Sequence, residues 1–237
     1  ASLFHNSAIL HALWVSIEVA LISAVIATVL GTAASLGIAS MGRKSRLVVT
    51  NITYIPVVNP EIITGISLML MFVFVGRFFG ATTSLSFGTM LVAHVTFCTP
   101  YIILQVLPKL RQMDDSLPEA AMDLGCTPMR AFLKVELPEI LPGIVTGAIM
   151  AFTLSLDDFV ISYFTSGNGF ETLPIRIYGM TKKTVTPKMY ALATIIFFVT
   201  LSLLLISNVV DSDDRKHLRE QRRQRKHHAH IEENREV

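Results

Sequence analysis

The chain contains five long apolar stretches. They run from about Ala8 to Met41, Ile55 to Gly76, Leu85 to Leu107, Gly143 to Phe164 and Met189 to Val210. Each contains about 20 mostly apolar residues or more, which is the length that a helix needs to cross the hydrocarbon core of a bilayer. The pattern therefore predicts an all-α bundle of five membrane-spanning helices with short connections and a polar tail.

The amino-acid composition excludes several other classes of protein. Of the 237 residues, 51% are hydrophobic and 16% are charged, whereas about 25% of the residues in an average soluble domain are charged. A soluble fold of this size would lack the polar residues that its surface requires. The two cysteines, Cys98 and Cys126, are too few for a disulfide framework and have no metal-ligand spacing, so no metal site is predicted.

The basic residues predict the orientation in the membrane. Fifteen Lys and Arg residues fall on the side that carries the C-terminal tail, and five fall on the other side. Since Lys and Arg stay on the cytoplasmic side, the tail is expected inside the cell. Lys182 and Lys183, in an outer loop, depart from this rule. The first residues would then lie outside without a preceding segment or an initiating Met, so we expect a missing first span, with a cleaved signal peptide as the alternative.

Two regions follow from this topology. Residues 1–210 are expected to form a transmembrane domain that includes a cytoplasmic loop at 109–142, and residues 211–237 form a basic cytoplasmic tail. The tail is expected to be solvated or to contact anionic lipid. Nucleic-acid binding is not expected, because no aromatic residue is interleaved with its charges.

The cytoplasmic loop predicts two short helices. Ser116 and Glu119 have the spacing of a capping box, and Pro118 falls in the first turn, where its missing N–H costs little. Gly125 is expected to end this helix in the left-handed conformation. An apolar stripe along it consists of Leu117, Ala120, Ala121 and Leu124.

A second short helix is expected to start at Thr127 and Pro128 and to be halted by Pro138. An exposed helix with a narrow apolar stripe suggests docking against another protein. The alternative is that the segment folds back on the membrane helices, and the pattern alone does not decide between the two.

Residues in this loop resemble the EAA motif of ABC-importer permeases. They are Glu119-Ala120-Ala121, Gly125 and Val135-Glu136-Leu137-Pro138, with Val135 where the family usually has isoleucine. The resemblance implies docking into a cleft of a separate ATPase subunit through Glu119, Ala120, Ala121, Gly125, Leu137 and Pro138. Within that segment Glu119 is interpreted as a structural cap. The chain has no credible phosphate loop, so no cofactor is expected in it, and ATP and Mg are expected on the partner ATPase.

Other motifs resemble the PotC-type permeases of spermidine/putrescine importers. They are Asn59-Pro60-Glu61, His94 to Pro100, Leu154 to Asp158 and Leu173 to Tyr178. The resemblance implies a six-span fold and a transport subunit of the bacterial inner membrane that is not an enzyme and has no catalytic residues. The implied partners are a homologous permease, an ABC ATPase dimer and a periplasmic polyamine-binding protein.

Four acidic residues lie within the predicted spans: Glu18, Glu61, Asp157 and Asp158. Charged residues there usually face a water-filled path or a partner, and a polyamine would neutralise them. With the resemblance, we expect a substrate path that includes Asp157, Asp158, Ser155 and Glu61. Adjacent helix positions point about 100° apart, so only one aspartate is expected to face the path.

Structural roles remain open for the same residues. Both aspartates could be protonated or capping residues, and Glu61 could cap the second span beside Pro60. Glu18 is interpreted as interfacial and His94 as a packing residue. Gly143 and Gly147 form a GxxxG pair that is suited to close helix packing.

Two alternative functions stay open at this point. A permease for another solute, such as thiamine or ferric iron, would share the docking motif. A proton-coupled secondary carrier working alone would use the buried acids as a relay and would not need the segment from Ser116 to Pro138.

Overall fold

The computed structural model describes residues 7–80, 85–114, 116–182 and 190–208, and these fold into helices. The predicted tail at 211–237 lies outside the described residues, as do Lys183 and Lys188. The helices are α1 (Ser7–Ser40), α2 (Arg43–Val58), α3 (Glu61–Phe78), α4 (Phe87–Gln112), α5 (Ser116–Asp123), α6 (Pro128–Ala131), α7 (Leu137–Asp157), α8 (Val160–Thr165), α9 (Leu173–Thr181) and α10 (Tyr190–Asn208).

Five helical segments of the described residues are long and apolar enough to cross a membrane, which confirms the predicted number of spans. They are Ser7–Ser40, Glu61–Phe78, Phe87–Gln112, Pro128–Asp157 and Tyr190–Asn208. Large apolar side chains are exposed on their outer faces, for example Trp14, Phe74 and Phe197. Such a surface is stable against lipid or another helical subunit and not against water.

Helices α1, α4 and α7 pack together and form the core. The largest buried cluster includes Ala24, Ala27, Phe97, Ile102, Val106, Ile140 and Ala151. A Cβ atom at Gly143 would lie 2.8 Å from Lys109 Cγ and 2.9 Å from the carbonyl oxygen of Gln105. At Gly147 it would lie 3.4 Å from Ile102 Cα. The predicted role in close helix packing is therefore confirmed for Gly143, whereas a Cβ at Gly147 would make an ordinary van der Waals contact.

The pattern predicted one helix for the second apolar stretch, but the structure divides this stretch between two helices. Helix α2 ends at Val58, and α3 begins at Glu61 after an extended Asn59 with ψ of 137°. The cause is Pro60, which lacks an N–H donor and disfavours helical geometry in the residue before it. Glu61 consequently lies in the first turn of α3, at the start of the membrane-spanning segment Glu61–Phe78.

The fourth apolar stretch is also broken, at its two aspartates. Helix α7 ends at Asp157, Asp158 is extended with ψ of 126°, and α8 begins at Val160. The predicted single span to Phe164 is therefore wrong. A short acidic side chain that bonds to nearby backbone N–H groups competes with a continuous helix, and Asp158 makes such bonds.

The segment at 109–142, predicted to be a cytoplasmic loop, largely has the predicted form. Gly125 has φ of +87° and donates its N–H to the carbonyl oxygen of Met122, while Cys126 donates to that of Ala121. Helix α6 starts after Thr127. These features confirm the predicted Gly125 and Thr127 caps.

The start of α5 differs from the predicted capping box. The N–H of Ser116 donates to Asp114 Oδ1 at 3.2 Å, and its hydroxyl donates to the same oxygen at 2.8 Å. Asp114 therefore takes the acceptor role that the pattern assigned to Glu119. An aspartate two residues upstream can form these bonds without bending a helical side chain backwards.

Pro138 does not halt a helix, which corrects another prediction. The chain continues from α6 through a π-helical turn, Phe132–Glu136, into α7. In that turn the N–H of Leu137 donates to Phe132, five residues back. The wider turn accommodates the ring and missing donor of Pro138 in a continuous helical segment.

The close approach of α4 and α7 predicts a different response at two helical glycines. Gly143→Ala should lower the stability of the protein by about 1–3 kcal/mol, because its Cβ would overlap the Gln105 carbonyl oxygen. Gly37→Ala is the control, since no atom lies within 4 Å of its Cβ position. That change should leave stability unchanged or raise it by up to about 1 kcal/mol. Thermal unfolding of the detergent-purified protein measures both, and equal melting temperatures would contradict the packing.

Candidate functional site

The two helix breaks lie close to each other. Helix α3 packs across α8, where a Cβ at Gly65 would lie 3.1 Å from Phe164 Cδ2 and 3.5 Å from the Val160 carbonyl oxygen. Glu61, at the start of α3, is close enough to Asp157 and Asp158 to interact with both electrostatically. The structure thus brings together three acidic residues that the sequence placed in two separate spans. Breaks in membrane helices are tolerated where they line a cavity or are buried in protein.

Asp158 is directed inward and caps α8. Its side chain is nearly buried, with 7% of the residue exposed. Oδ1 accepts the N–H of Ile161 at 3.2 Å, and Oδ2 accepts the N–H of Ser162 at 2.7 Å. The carboxylate is therefore satisfied by the backbone, and these bonds define where α8 begins.

His94 lies at the centre of a buried polar network. Its Nδ1 is 2.7 Å from Ser155 Oγ, its Nε2 is 2.9 Å from Ser162 Oγ, and the same Nε2 is 3.6 Å from Asp158 Oδ2. Ser155 Oγ in turn lies 3.0 Å from Ser23 Oγ. The network joins α1, α4, α7 and α8, so His94 has a structural position with both ring nitrogens satisfied, as expected of a packing residue.

Ser23 is a member of the network that the sequence analysis missed. Ser16, seven residues earlier on the same face of α1, accepts the N–H of Leu173 at 2.7 Å and so positions the start of α9. The available signal was a pair of small polar residues seven positions apart on an apolar helix. It indicates a shared face but does not identify the helices that this face contacts.

Asp157 has different surroundings from Asp158, as predicted, although the cause is the end of α7 between them and not the angle between neighbours on one helix. It is exposed and lines an open cavity of about 440 Å³ between the end of α7, α9 and α10. The other lining residues include Phe159, Pro174, Ile177, Tyr178, Phe197 and Thr200. Of the two aspartates, Asp157 is therefore the one that a solute in this cavity would meet.

Aromatic rings form one wall beside Asp157. The rings of Phe159 and Tyr178 have centroids 4.7 Å apart, and the centroids of Phe159 and Tyr163 are 5.4 Å apart. A carboxylate next to aromatic faces is suited to an ammonium group, through charge attraction and cation–π contact. Phe159 lines the cavity, and Tyr163 packs against its ring. Neither role was predicted, because no sequence pattern shows that α8 and α9 converge.

The predicted docking residues lie on the surface of the segment at 109–142. Glu119, Ala120, Gly125 and Pro138 are exposed, whereas Ala121 and Leu137 are partly buried. Helix α5 has no buried residue, so it does not fold back on the membrane helices. Large apolar side chains remain uncovered there, including Leu124 at 88% and Met129 at 67% exposure. This surface is available to a protein partner.

Comparison with known sequences identifies close relatives. Residues 10–214 match the family described as binding-protein-dependent transport system inner membrane component. The chain is 41% identical over 196 residues to the putrescine transport system permease protein PotI of Escherichia coli strain K12, covering 82% of this chain and 69% of PotI. It is 36% identical over 208 residues to the spermidine/putrescine transport system permease protein PotC of Haemophilus influenzae, covering 88% and 79%.

Solved structures share the fold at lower sequence identity. An inward-facing MetNI methionine ABC transporter chain aligns with a TM-score of 0.64 at 22% identity, covering 84% of this chain and 93% of that one. A chain of a bacterial ABC transporter that imports the acidic polysaccharide alginate aligns with a TM-score of 0.64 at 15% identity, covering 91% and 82%. These likenesses concern the fold alone.

The two aspartates should differ in their effect on stability. Asp158→Ala removes the acceptor of two backbone N–H groups and should cost about 1–2 kcal/mol of stability. Asp157→Ala should change stability by no more than about 0.5 kcal/mol, because the side chain is exposed. Thermal unfolding of both purified variants checks this, and a larger loss for Asp157→Ala would refute the assignment.

Proposed function

The chain belongs to the family of binding-protein-dependent transport system inner membrane components, and we infer that it is the permease subunit of an ATP-driven ABC importer that carries polyamines into the cell. It is a multi-pass membrane protein and a transport subunit, not an enzyme. The cavity that Asp157 shares with Phe159 and Tyr178 carries this conclusion, because its chemistry suits the ammonium groups of the substrates named for the relatives.

The substrate path is proposed to run past the two helix breaks. Glu61 and Asp157 are both exposed and lie within electrostatic range of each other, so they present spaced negative charges. Polyamines carry ammonium groups that are separated by methylene linkers, which suits carboxylates alternating with aromatic and apolar walls. Acidic groups placed in a membrane path in this way are typical of a route for a cationic substrate.

Asp158 and Ser155 are proposed to hold the wall of this path. Both have bonding partners within the protein: Asp158 bonds to the start of α8, and Ser155 contacts His94. Their replacement would alter the path by moving α7 relative to α8. This role differs from direct substrate contact, which we assign to Asp157 and Glu61.

The cytoplasmic segment is proposed to receive force from an ATPase subunit. Its exposed Leu124 and Met129 would enter an apolar cleft, with Glu119, Ala120 and Ala121 on the adjoining turn. The segment Pro128–Asp157 is a continuous helical stretch of 30 residues that starts at this surface and ends at Asp157. A movement of the docked end can therefore change the exposure of the path.

The complete importer is proposed to contain further subunits. These are a second, homologous permease, a pair of ATPase subunits that bind ATP and Mg, and a periplasmic polyamine-binding protein. We place the C-terminus in the cytoplasm, because fifteen of the twenty Lys and Arg residues fall on that side. The docking segment then lies on the same side as the ATPase.

The role of Asp157 predicts a transport defect. Asp157→Asn should lower polyamine uptake and polyamine-stimulated ATP hydrolysis about tenfold, which corresponds to a lost interaction of about 1.4 kcal/mol. The assay uses the complete importer reconstituted in liposomes with labelled putrescine or spermidine. Glu18→Gln is the control, since Glu18 is another exposed acid of a membrane helix without a proposed path role. Undiminished uptake by Asp157→Asn would reject this role.

The role of Gly125 predicts uncoupling from the ATPase. Proline has φ near −65°, so Gly125→Pro cannot keep the φ of +87°, and it loses the N–H that bonds to Met122. We expect uptake to fall at least about tenfold while the permease still inserts into the membrane. Gly80→Pro is a matched control, because Gly80 also has a positive φ, +73°, and donates to Arg77. Uptake at the wild-type level in Gly125→Pro, or an equal loss of uptake in both variants, would exclude the docking role.

A further inference from the structure

Lys182 is a basic residue whose position the transport function does not explain. It follows α9 as the C-cap residue, on the side of the membrane where few basic residues are expected. Its Nζ atom lies over the ring of Tyr178, 4.7 Å from the ring centroid. The protein thus holds a cation of its own against an aromatic face.

That aromatic face belongs to the cavity of Asp157. Tyr178 lines the cavity, and its ring also contacts those of Phe159, at 4.7 Å, and Tyr163, at 6.1 Å. A ring in such a cluster is fixed in orientation, so its face is a preformed site for a cation. Lys182 occupies one face of Tyr178, and the preceding residue, Thr181, lines the cavity together with Tyr178.

The same cavity contains a hydroxyl group without a hydrogen-bond partner in the part of the chain that the structure describes. Thr200 lines it, and the Thr200 hydroxyl has no hydrogen-bond partner among the described residues. A hydroxyl without a partner is costly where water has little access, and an ammonium group would supply a donor. Asp157, Thr200 and Tyr178 therefore provide a carboxylate, a hydroxyl and an aromatic face to one cavity.

We propose that Lys182 is a tethered competitor that occupies the ammonium site on Tyr178 until a polyamine displaces it. This inference rests on the proposed function, because it takes the polyamine as the ligand of the cavity. A tethered group competes at a high effective concentration. When it occupies the site, the apparent affinity for the free ligand falls to the intrinsic affinity multiplied by the fraction of sites that are left open.

Competition of this kind sets the affinity without changing the chemistry of the site. A ligand with a single ammonium group must displace Lys182 with one contact, whereas a polyamine can bind Asp157 with one end and displace Lys182 with the other. The competitor therefore favours substrates with two or more ammonium groups. It also weakens binding in the cavity, which assists release of the substrate along the path.

The test measures binding of labelled spermidine to the purified complex of the permeases and ATPases, without the binding protein. Lys182→Gln should tighten binding about twofold to fivefold, the range expected from an exposed cation–π contact. Lys182→Arg, which keeps a cation over the ring, should bind within about twofold of the wild type. An unchanged or weaker affinity in Lys182→Gln would overturn the proposal.

Two further variants separate competition at the ring from a general effect of charge. Arg77→Gln removes another basic residue from the predicted outer side, and it should not tighten binding. In a Tyr178→Leu background, Lys182→Gln should give no additional gain, because the contested face is gone. The proposal would be overturned if Arg77→Gln raised the affinity for spermidine equally, or if Lys182→Gln raised it undiminished in the Tyr178→Leu background. Either result would show a general electrostatic effect of the removed charge.

Uptake by the complete wild-type importer distinguishes the two levels of inference. If it takes up polyamine while Lys182→Gln binds spermidine as the wild type does, the tethered competitor is excluded and the proposed function stands. If the wild-type importer takes up no polyamine, the function fails and the competitor fails with it.

Discussion

The capping of α8 by Asp158 is the interaction on which the candidate site depends. A carboxylate inside a membrane protein must be bonded by protein groups, since lipid provides none. Asp158 meets this requirement with the N–H groups of Ile161 and Ser162. These N–H groups are free to bond to Asp158 only because they lie in the first turn of a new helix, α8. The hydrogen bonds to the carboxylate are therefore made at an interruption of the span. The interruption leaves the neighbouring Asp157 exposed at the end of α7, and the cavity forms beside it.

The polar network around His94 stabilises this interruption. Its hydrogen bonds link Ser155, before the break, with Ser162, after it, and Ser23 extends the link to α1. In a region without water, such contacts are needed to replace the backbone bonds that a continuous helix would make. The second break, at Pro60, has a covalent cause and needs no comparable network. Two breaks of different physical origin thus meet where α3 packs across α8.

The same span connects the candidate path with the exposed surface of α5 and α6. From Pro128 to Asp157 the helical segment is continuous, although it contains Pro138, because the π-helical turn at Phe132–Glu136 absorbs the missing donor. A π-helical turn is also a local change of helical phase. It sets the direction in which the exposed α5 and α6 project from the membrane helices. The packing of Gly143 against Gln105 then holds the segment close to α4.

The sequence by itself determined the five apolar spans, the short helix that Gly125 caps and the family resemblance, because length, hydrophobicity and local caps act over a few residues. It also predicted that Asp157 and Asp158 would have different surroundings, since neighbouring positions on a helix point in different directions. Only the tertiary structure decided which of them faces the cavity. That outcome depends on His94, 61 residues from Ser155 in the chain, and on the convergence of α8, α9 and α10. Contacts between distant segments leave no periodic signal in the sequence, and for the same reason the aromatic wall beside Asp157 was not predicted. The helix ends beside Pro60 and the two aspartates were partly indicated, because capping roles were open for Glu61 and for both aspartates.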